Sequence, residues 1–231
     1  MGLMGQGNDR AVRAPIEVIT QSTDVALGGL VAKVARMKRE SRNGKLCLSF
    51  IGPETGVGVT TLAAACGVNL ARNLGISCAV VELNLREPAI ARYLGLDPEP
   101  GLREYLLEEA DLEQVRRETF VPTLFAVPGG RGAKTTAALL ASPGFPKLQA
   151  ALHESHDVLI LDMPPVVLQP DVSLPLENVD GAVVVSSARR SKKRAIEETV
   201  TRLRELGAPI LGMIMNRYRS DMPFGLGDPD A

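Results

Sequence analysis

The chain has 231 residues, 45% of them hydrophobic, which is enough to bury a large core within one domain. Its formal charge is −1 with 23% charged residues, so no global field draws it to nucleic acid or to anionic lipid, and any such contact must be local. No apolar run approaches the ~18–20 residues of a membrane span and the N-terminus lacks a basic-then-apolar secretory pattern, so a cytoplasmic location is expected.

Residues 1–14 are Gly-rich and polar, and 220–231 carry prolines, glycines and aspartates; both ends are expected to be mobile, leaving 15–219 as the folded domain. Met1-Gly2 is not a myristoylation start, because Gln6 stands where that acceptor motif needs Ser or Thr. Short Val/Leu/Ile-rich runs then alternate with helix-length segments: 46–51, 78–83, 123–127, 157–162, 182–186 and 210–215. Strands apolar on both faces and separated by helices predict a mostly parallel sheet covered on both sides, a three-layer α/β fold. The segment Thr60 to Leu74 is apolar nearly all round and predicts a helix buried against the sheet and stopped by Gly75. Lys192 to Leu206 places Ile196, Val200 and Leu203 on one stripe among charges, which predicts a surface helix. Pro128–Gly132 reads as a loop. Cys47, Cys66 and Cys78 lie in apolar segments without metal or redox spacing and read as small buried hydrophobes.

In a parallel α/β sheet, ligands sit beyond the carboxyl ends of the strands, so the loop after the first strand is the natural place to look. It reads Gly52-Pro53-Glu54-Thr55-Gly56-Val57-Gly58-Val59-Thr60-Thr61 and runs into the buried helix. Glycines let backbone N–H groups close on phosphate oxygens, the helix N-terminus adds positive potential, and Thr60 is placed to ligate Mg²⁺. Gly56, Val57, Gly58, Val59, Thr60 and Thr61 are therefore candidate nucleotide-binding residues. Val59, however, stands where a phosphate loop of the G-K-[ST] type has its lysine. A dinucleotide site competes, since Glu82 ends the second strand near where a ribose-binding acid would sit; Thr61 at the sixth motif position and the four residues before Gly56 argue against it.

Further segments resemble the bacterial tyrosine kinase family of deviant P-loop ATPases, in order and spacing, over roughly residues 24–217. Val80-Val81-Glu82-Leu83-Asn84-Leu85-Arg86-Glu87-Pro88 is similar to that family's I-D-x-D-x-R-x-P pattern, and Asp157 to Pro165 (DVLILDMPP) to its D-x-x-x-x-D-x-P-P segment. Pro128-Gly129 and Leu139 to Pro143 resemble its L-P-x-G and L-L-A-S-P elements, Asp180-Gly181 its V-D-G, and Gly212 to Asn216 its last strand, whose asparagine meets adenine. The resemblance implies a P-loop fold like that of the septum-positioning and plasmid-partition ATPases. It also implies Mg-ATP or Mg-ADP as ligand, Glu82 and Asp162 as the catalytic acids, and Thr60, Glu82 and Asp162 around Mg²⁺, with Asn216 at the nucleotide. Its implied partner is a membrane polysaccharide co-polymerase at the inner membrane face, and its implied assembly a homo-oligomeric ring in which tyrosine tails are phosphorylated. The implied function is regulation of capsule or exopolysaccharide synthesis and export.

The sequence departs from that pattern at four places. Val59 replaces the lysine, and Glu54 stands where the positioning ATPases carry a second one. The paired acids become Glu82 and Asn84, and an amide cannot take a proton near neutral pH. No tyrosine cluster ends the chain, where Tyr218 is alone, and Asp24–Leu30 lacks the arginines of the ring-contact helix. These losses lead us to expect a degenerate member that binds nucleotide weakly. Two alternatives stay open: an active ATPase or autokinase with a relocated cation, for which Arg86, Arg131 and Lys134 follow strand ends whereas Lys45 lies ~20 Å from the loop, and a positioning ATPase. The run Arg189-Arg190-Ser191-Lys192-Lys193-Arg194 is read as a contact for the membrane partner or anionic lipid, with no nucleic acid expected.

Overall fold

A computed structural model of the chain describes residues 27–132, 136–169 and 174–217. The expectations for 1–14, for the tail from Ser220, for Tyr218 and for Lys134 lie outside these residues. Seven strands form one sheet: β1 (Leu46–Ile51), β2 (Cys78–Glu82), β3 (Arg117–Glu118), β4 (Leu124–Val127), β5 (Val158–Asp162), β6 (Gly181–Ser187) and β7 (Ile210–Asn216). The order is β3-β4-β2-β5-β1-β6-β7, with every pairing parallel except β3 with β4.

Strand alternation divides the core in two, because successive side chains leave opposite faces of a sheet. Leu46, Leu48 and Phe50 of β1 join Val158 and Ile160 of β5 on one face. There they pack under α1 (27–40), α2 (Val59–Leu74) and α3 (Ile90–Leu94). Cys47 and Ile51 join Leu159 and Leu161 on the other face. This second layer is closed by α4 (Leu102–Leu106), α5 (Leu112–Val115), α6 (Ala137–Leu140), α7 (Gly144–Ser155) and α8 (Lys193–Glu205). The expected three layers are present. So are the buried α2, ended by Gly75 in a left-handed conformation, and the amphipathic α8, which buries Thr199 and Leu203. All three cysteines are free and buried, and burial raises the Cys47 and Cys66 thiols to about 12, which keeps both unreactive.

Differences from the sequence reading concern short elements. β3 is a two-residue antiparallel edge strand, and α3 to α6 have five residues or fewer, too short for periodicity to reveal. At the start of α1, Leu27 is buried while Gly28 and Gly29 are exposed, so no arginine occupies this part of the helix surface.

Candidate nucleotide site

Because β1, β5 and β2 are neighbours, the loops following them meet at one edge of the sheet. In the β2–β5 register Glu82 lies directly opposite Asp162, and Phe50 of β1 is level with Asp162 from the other side. Pairing of three central parallel strands puts Glu82 beside Asp162 at the edge of the sheet from which the loop runs into α2, and of Gly58, Glu82 and Asp162 it is Gly58 alone that lines the cavity there.

The loop Gly52–Gly58 crosses into α2 with Gly58 as N-cap at φ 102°, and no side-chain hydrogen bond caps the helix. Thr60 is therefore inside the first turn and is not the cap. A cavity of about 440 Å³ opens over the loop, within the range of small-ligand sites. Glu54, Thr55, Gly56, Gly58, Val59, Thr60 and Thr61 form its floor, and Asn84, Tyr93 and Met163 to Pro165 contribute to its walls. Val57 points the other way and is fully buried in the core.

The two acids have different circumstances. Glu82 is buried and its carboxylate is spent on backbone: Oε1 accepts the N–H groups of Ala89 and Ile90, the latter at 2.9 Å, and Oε2 accepts that of Gly129 at 2.8 Å. Burial raises its pKa while those three amides oppose the rise. The side chain that the resemblance places at the metal is, in the structure, the clip that joins the start of α3 to the Pro128–Gly129 loop. Asp162 has no such partners; both oxygens are buried and unsatisfied. Burial, then the neighbouring Glu82 charge, holds its pKa well above the ordinary carboxylate value. The Thr60 hydroxyl is near enough to oppose that rise but leaves both oxygens outside good hydrogen-bond geometry. Asp162 with Thr60 fits a divalent cation, which would supply the missing partner and neutralise phosphate charge; Glu82 does not fit that role.

This arrangement has a pH consequence. A carboxyl whose pKa is raised by folding takes up protons on folding, so its stabilisation is complete below about pH 4 and is lost as pH rises through the folded pKa. In metal-free buffer, Asp162→Asn should melt at least about 2 °C above the parent at pH 8, the shift given by ~1 kcal/mol in a domain of this size, and the gap should close towards pH 4. Equal melting curves at pH 8 would contradict the unpaired burial of this group.

The remaining predicted residue, Asn216, lies at the end of β7 and grips the loop. Its Nδ2 donates to the Val57 carbonyl at 2.8 Å, and its Oδ1 accepts the Arg217 N–H at 2.8 Å. Asn84 donates to the Glu87 carbonyl at 3.2 Å and lines the cavity. Of the cations weighed from the sequence, Lys45 is at the far end of the sheet, bonded to the His156 carbonyl. Arg131 pairs with Glu99 at 3.2 Å, and Arg86 is exposed and does not line the cavity. Arg92 and Arg217 do line it. Arg190 lies against the outside of the loop, its Nε 4.0 Å from Glu54 and its Nη1 3.0 Å from where a side chain on Gly56 would begin. Neither Arg92 nor Arg217 was weighed from the sequence: Arg217, which directly follows Asn216 at a strand end, had a positional signal that could have found it, and Arg92 had none.

No protein-family model matches the chain. It is 28% identical over 208 residues to tyrosine-protein kinase ptk of Acinetobacter johnsonii, covering 87% of this chain but only 28% of that protein. It is 29% identical over 176 residues to tyrosine-protein kinase CpsD of Streptococcus agalactiae, covering 76% of each. Among solved structures, the VpsO kinase domain superposes with a TM-score of 0.78 at 24% identity, over 88% of this chain and 98% of that one. The kinase domain of the Escherichia coli tyrosine kinase ETK gives 0.72 at 16% identity, over 98% and 88%, and at those identities both establish the fold alone. The cell division ATPase MinD of Pyrococcus furiosus gives 0.63 at 27%, over 76% and 74%. The chain is thus a homologue of the bacterial tyrosine-protein kinases, folded as a P-loop ATPase.

Proposed function

We propose that this protein is a catalytically degenerate relative of those kinases, which regulates the synthesis or export of a surface polysaccharide by docking on a membrane co-polymerase at the cytoplasmic face. The observation that carries the reading is a phosphate loop with Val59 in the lysine position, next to a Glu82 whose two oxygens are occupied by backbone amides. Phosphoryl transfer relies on positioning and charge neutralisation, so loss of one preorganised donor costs ~10²–10³ in rate. With Asn84 in place of the second acid, no free proton acceptor of the expected pair remains.

Scaffold without turnover suits a protein that senses nucleotide or partner rather than one that transfers phosphate. Mg-ATP or Mg-ADP would bind through the loop amides, with the metal between Thr60 and Asp162. No helix among the described residues is long and apolar enough to cross a membrane. The exposed basic residues Arg189, Lys192 and Lys193 at the carboxyl edge of the sheet are the expected contact.

Deleting the gene should change the amount or chain length of surface polysaccharide, and the protein incubated with radiolabelled ATP and Mg²⁺ should acquire no phosphotyrosine. Unaltered polysaccharide would defeat the regulatory assignment. Label incorporation abolished by Asp162→Ala would show an active kinase instead.

A further inference from the structure

Four charged side chains line the cavity over the loop: Glu54, Glu87, Arg92 and Arg217. Glu54 faces Arg190 across 4.0 Å, so part of its charge is answered from outside the cavity. The two guanidiniums are different. Arg92 packs over the Tyr93 ring at 5.4 Å, and neither Arg92 nor Arg217 has a carboxylate partner among the described residues.

Both are positioned by structure that converges on the loop. Arg217 has φ 56°, a left-handed backbone that non-glycine residues seldom adopt. Asn216 holds it there, using one end of its amide on the Arg217 N–H and the other on the Val57 carbonyl of the loop. Arg92 belongs to α3, whose first amides are fixed by Glu82. Guanidiniums therefore approach from two walls while the N-terminus of the 16-residue α2, with no acid in its first turn, faces the same space.

We propose that Arg92 and Arg217 are the phosphate-binding cations of this cavity, gripping the diphosphate portion of a nucleotide from its two walls in place of the side chain absent at Val59. The assignment rests on the reading of the loop as a nucleotide site. Planar guanidinium forks match phosphate oxygens in pairs, so two of them hold a diphosphate firmly without occupying the position from which a lysine acts on the transferred group. Binding is thereby retained and turnover is not restored.

The test is calorimetric titration of the full chain with Mg-ATP, Mg-ADP and inorganic pyrophosphate, comparing wild type with Arg92→Ala, Arg217→Ala, the double variant and a surface control, Arg204→Ala. Each single change should weaken Mg-ADP about 10-fold and the pair about 100-fold, with Arg204→Ala neutral. Pyrophosphate behaving in the same way shows that the diphosphate alone is recognised; Mg-ADP alone doing so shows that the base is needed too, and either supports the proposal. A double variant within about twofold of wild type overturns it, as does a wild type that binds none of the three. The first of those results leaves the regulatory function standing, because that function is judged by the polysaccharide of the deletion strain.

Discussion

Glu82→Ala should destabilise the protein by about 3–5 kcal/mol, a fall in melting temperature of roughly 10 °C, while phosphotyrosine formation stays at background. The carboxylate is the acceptor for the N–H groups of Ala89, Ile90 and Gly129. Removing it leaves buried donors without partners, each costing about 1–3 kcal/mol unless water enters. Glu82→Gln should be nearly as harmful, because one of its two positions becomes a donor facing a donor. Glu82→Asp should fall between, since a shorter arm reaches only part of the set. Thermal and urea denaturation check the series; a loss below about 1 kcal/mol for the alanine variant would mean that Glu82 is dispensable to the fold, and its assignment as a metal ligand would regain its force.

The second large effect is expected at Gly101→Ala. A Cβ there would stand 2.4 Å from the Gly130 nitrogen, 2.5 Å from the Pro128 carbonyl oxygen and 2.6 Å from the Gly130 Cα. All three are backbone atoms and cannot rotate away. The same junction carries the Leu102 N–H bond to Pro128 at 2.7 Å and the Arg103 N–H bond to Gly129 at 3.1 Å. Separating the two chain segments of this junction should cost about 3 kcal/mol, at the upper end for an added methyl group. Gly75→Ala is the matched control: its φ is 63° but nothing lies within 4 Å of the added carbon, so only the backbone term of about 1 kcal/mol applies. Equal losses in the two variants would refute the packing argument.

Both substitutions act on one small assembly that no periodicity in the sequence announces. The six longer strands were readable because each is a run of apolar residues, and the loop because its glycines and hydroxyls lie between the first strand and a buried helix. Pairing between neighbouring strands then placed Glu82 beside Asp162, as the order of motifs implied. What the side chains do was not readable. Glu82 meets amides seven, eight and 47 residues further on, and Asn216 meets a carbonyl 159 residues back. Those partners are fixed by where loops return, and residue type at a strand end does not specify it. The cations show the same division. Arg86 and Arg131 follow the strand ends where a substitute was expected, but turns carry them away from the cavity, while Arg92 comes into it from a five-residue helix.

Arg190 belongs to two neighbourhoods at once. Its chain neighbours form the basic ridge after β6, yet its own guanidinium rests on the outer surface of the Glu54–Gly56 stretch. Whatever takes hold of that ridge therefore competes with Glu54 for the same fork. Thermodynamic reciprocity then requires that if occupancy inside the cavity alters the grip on the ridge by some factor, a visitor on the ridge alters occupancy inside by the identical factor. Arg190 therefore sits at the seam between the basic ridge and the outer surface of the loop.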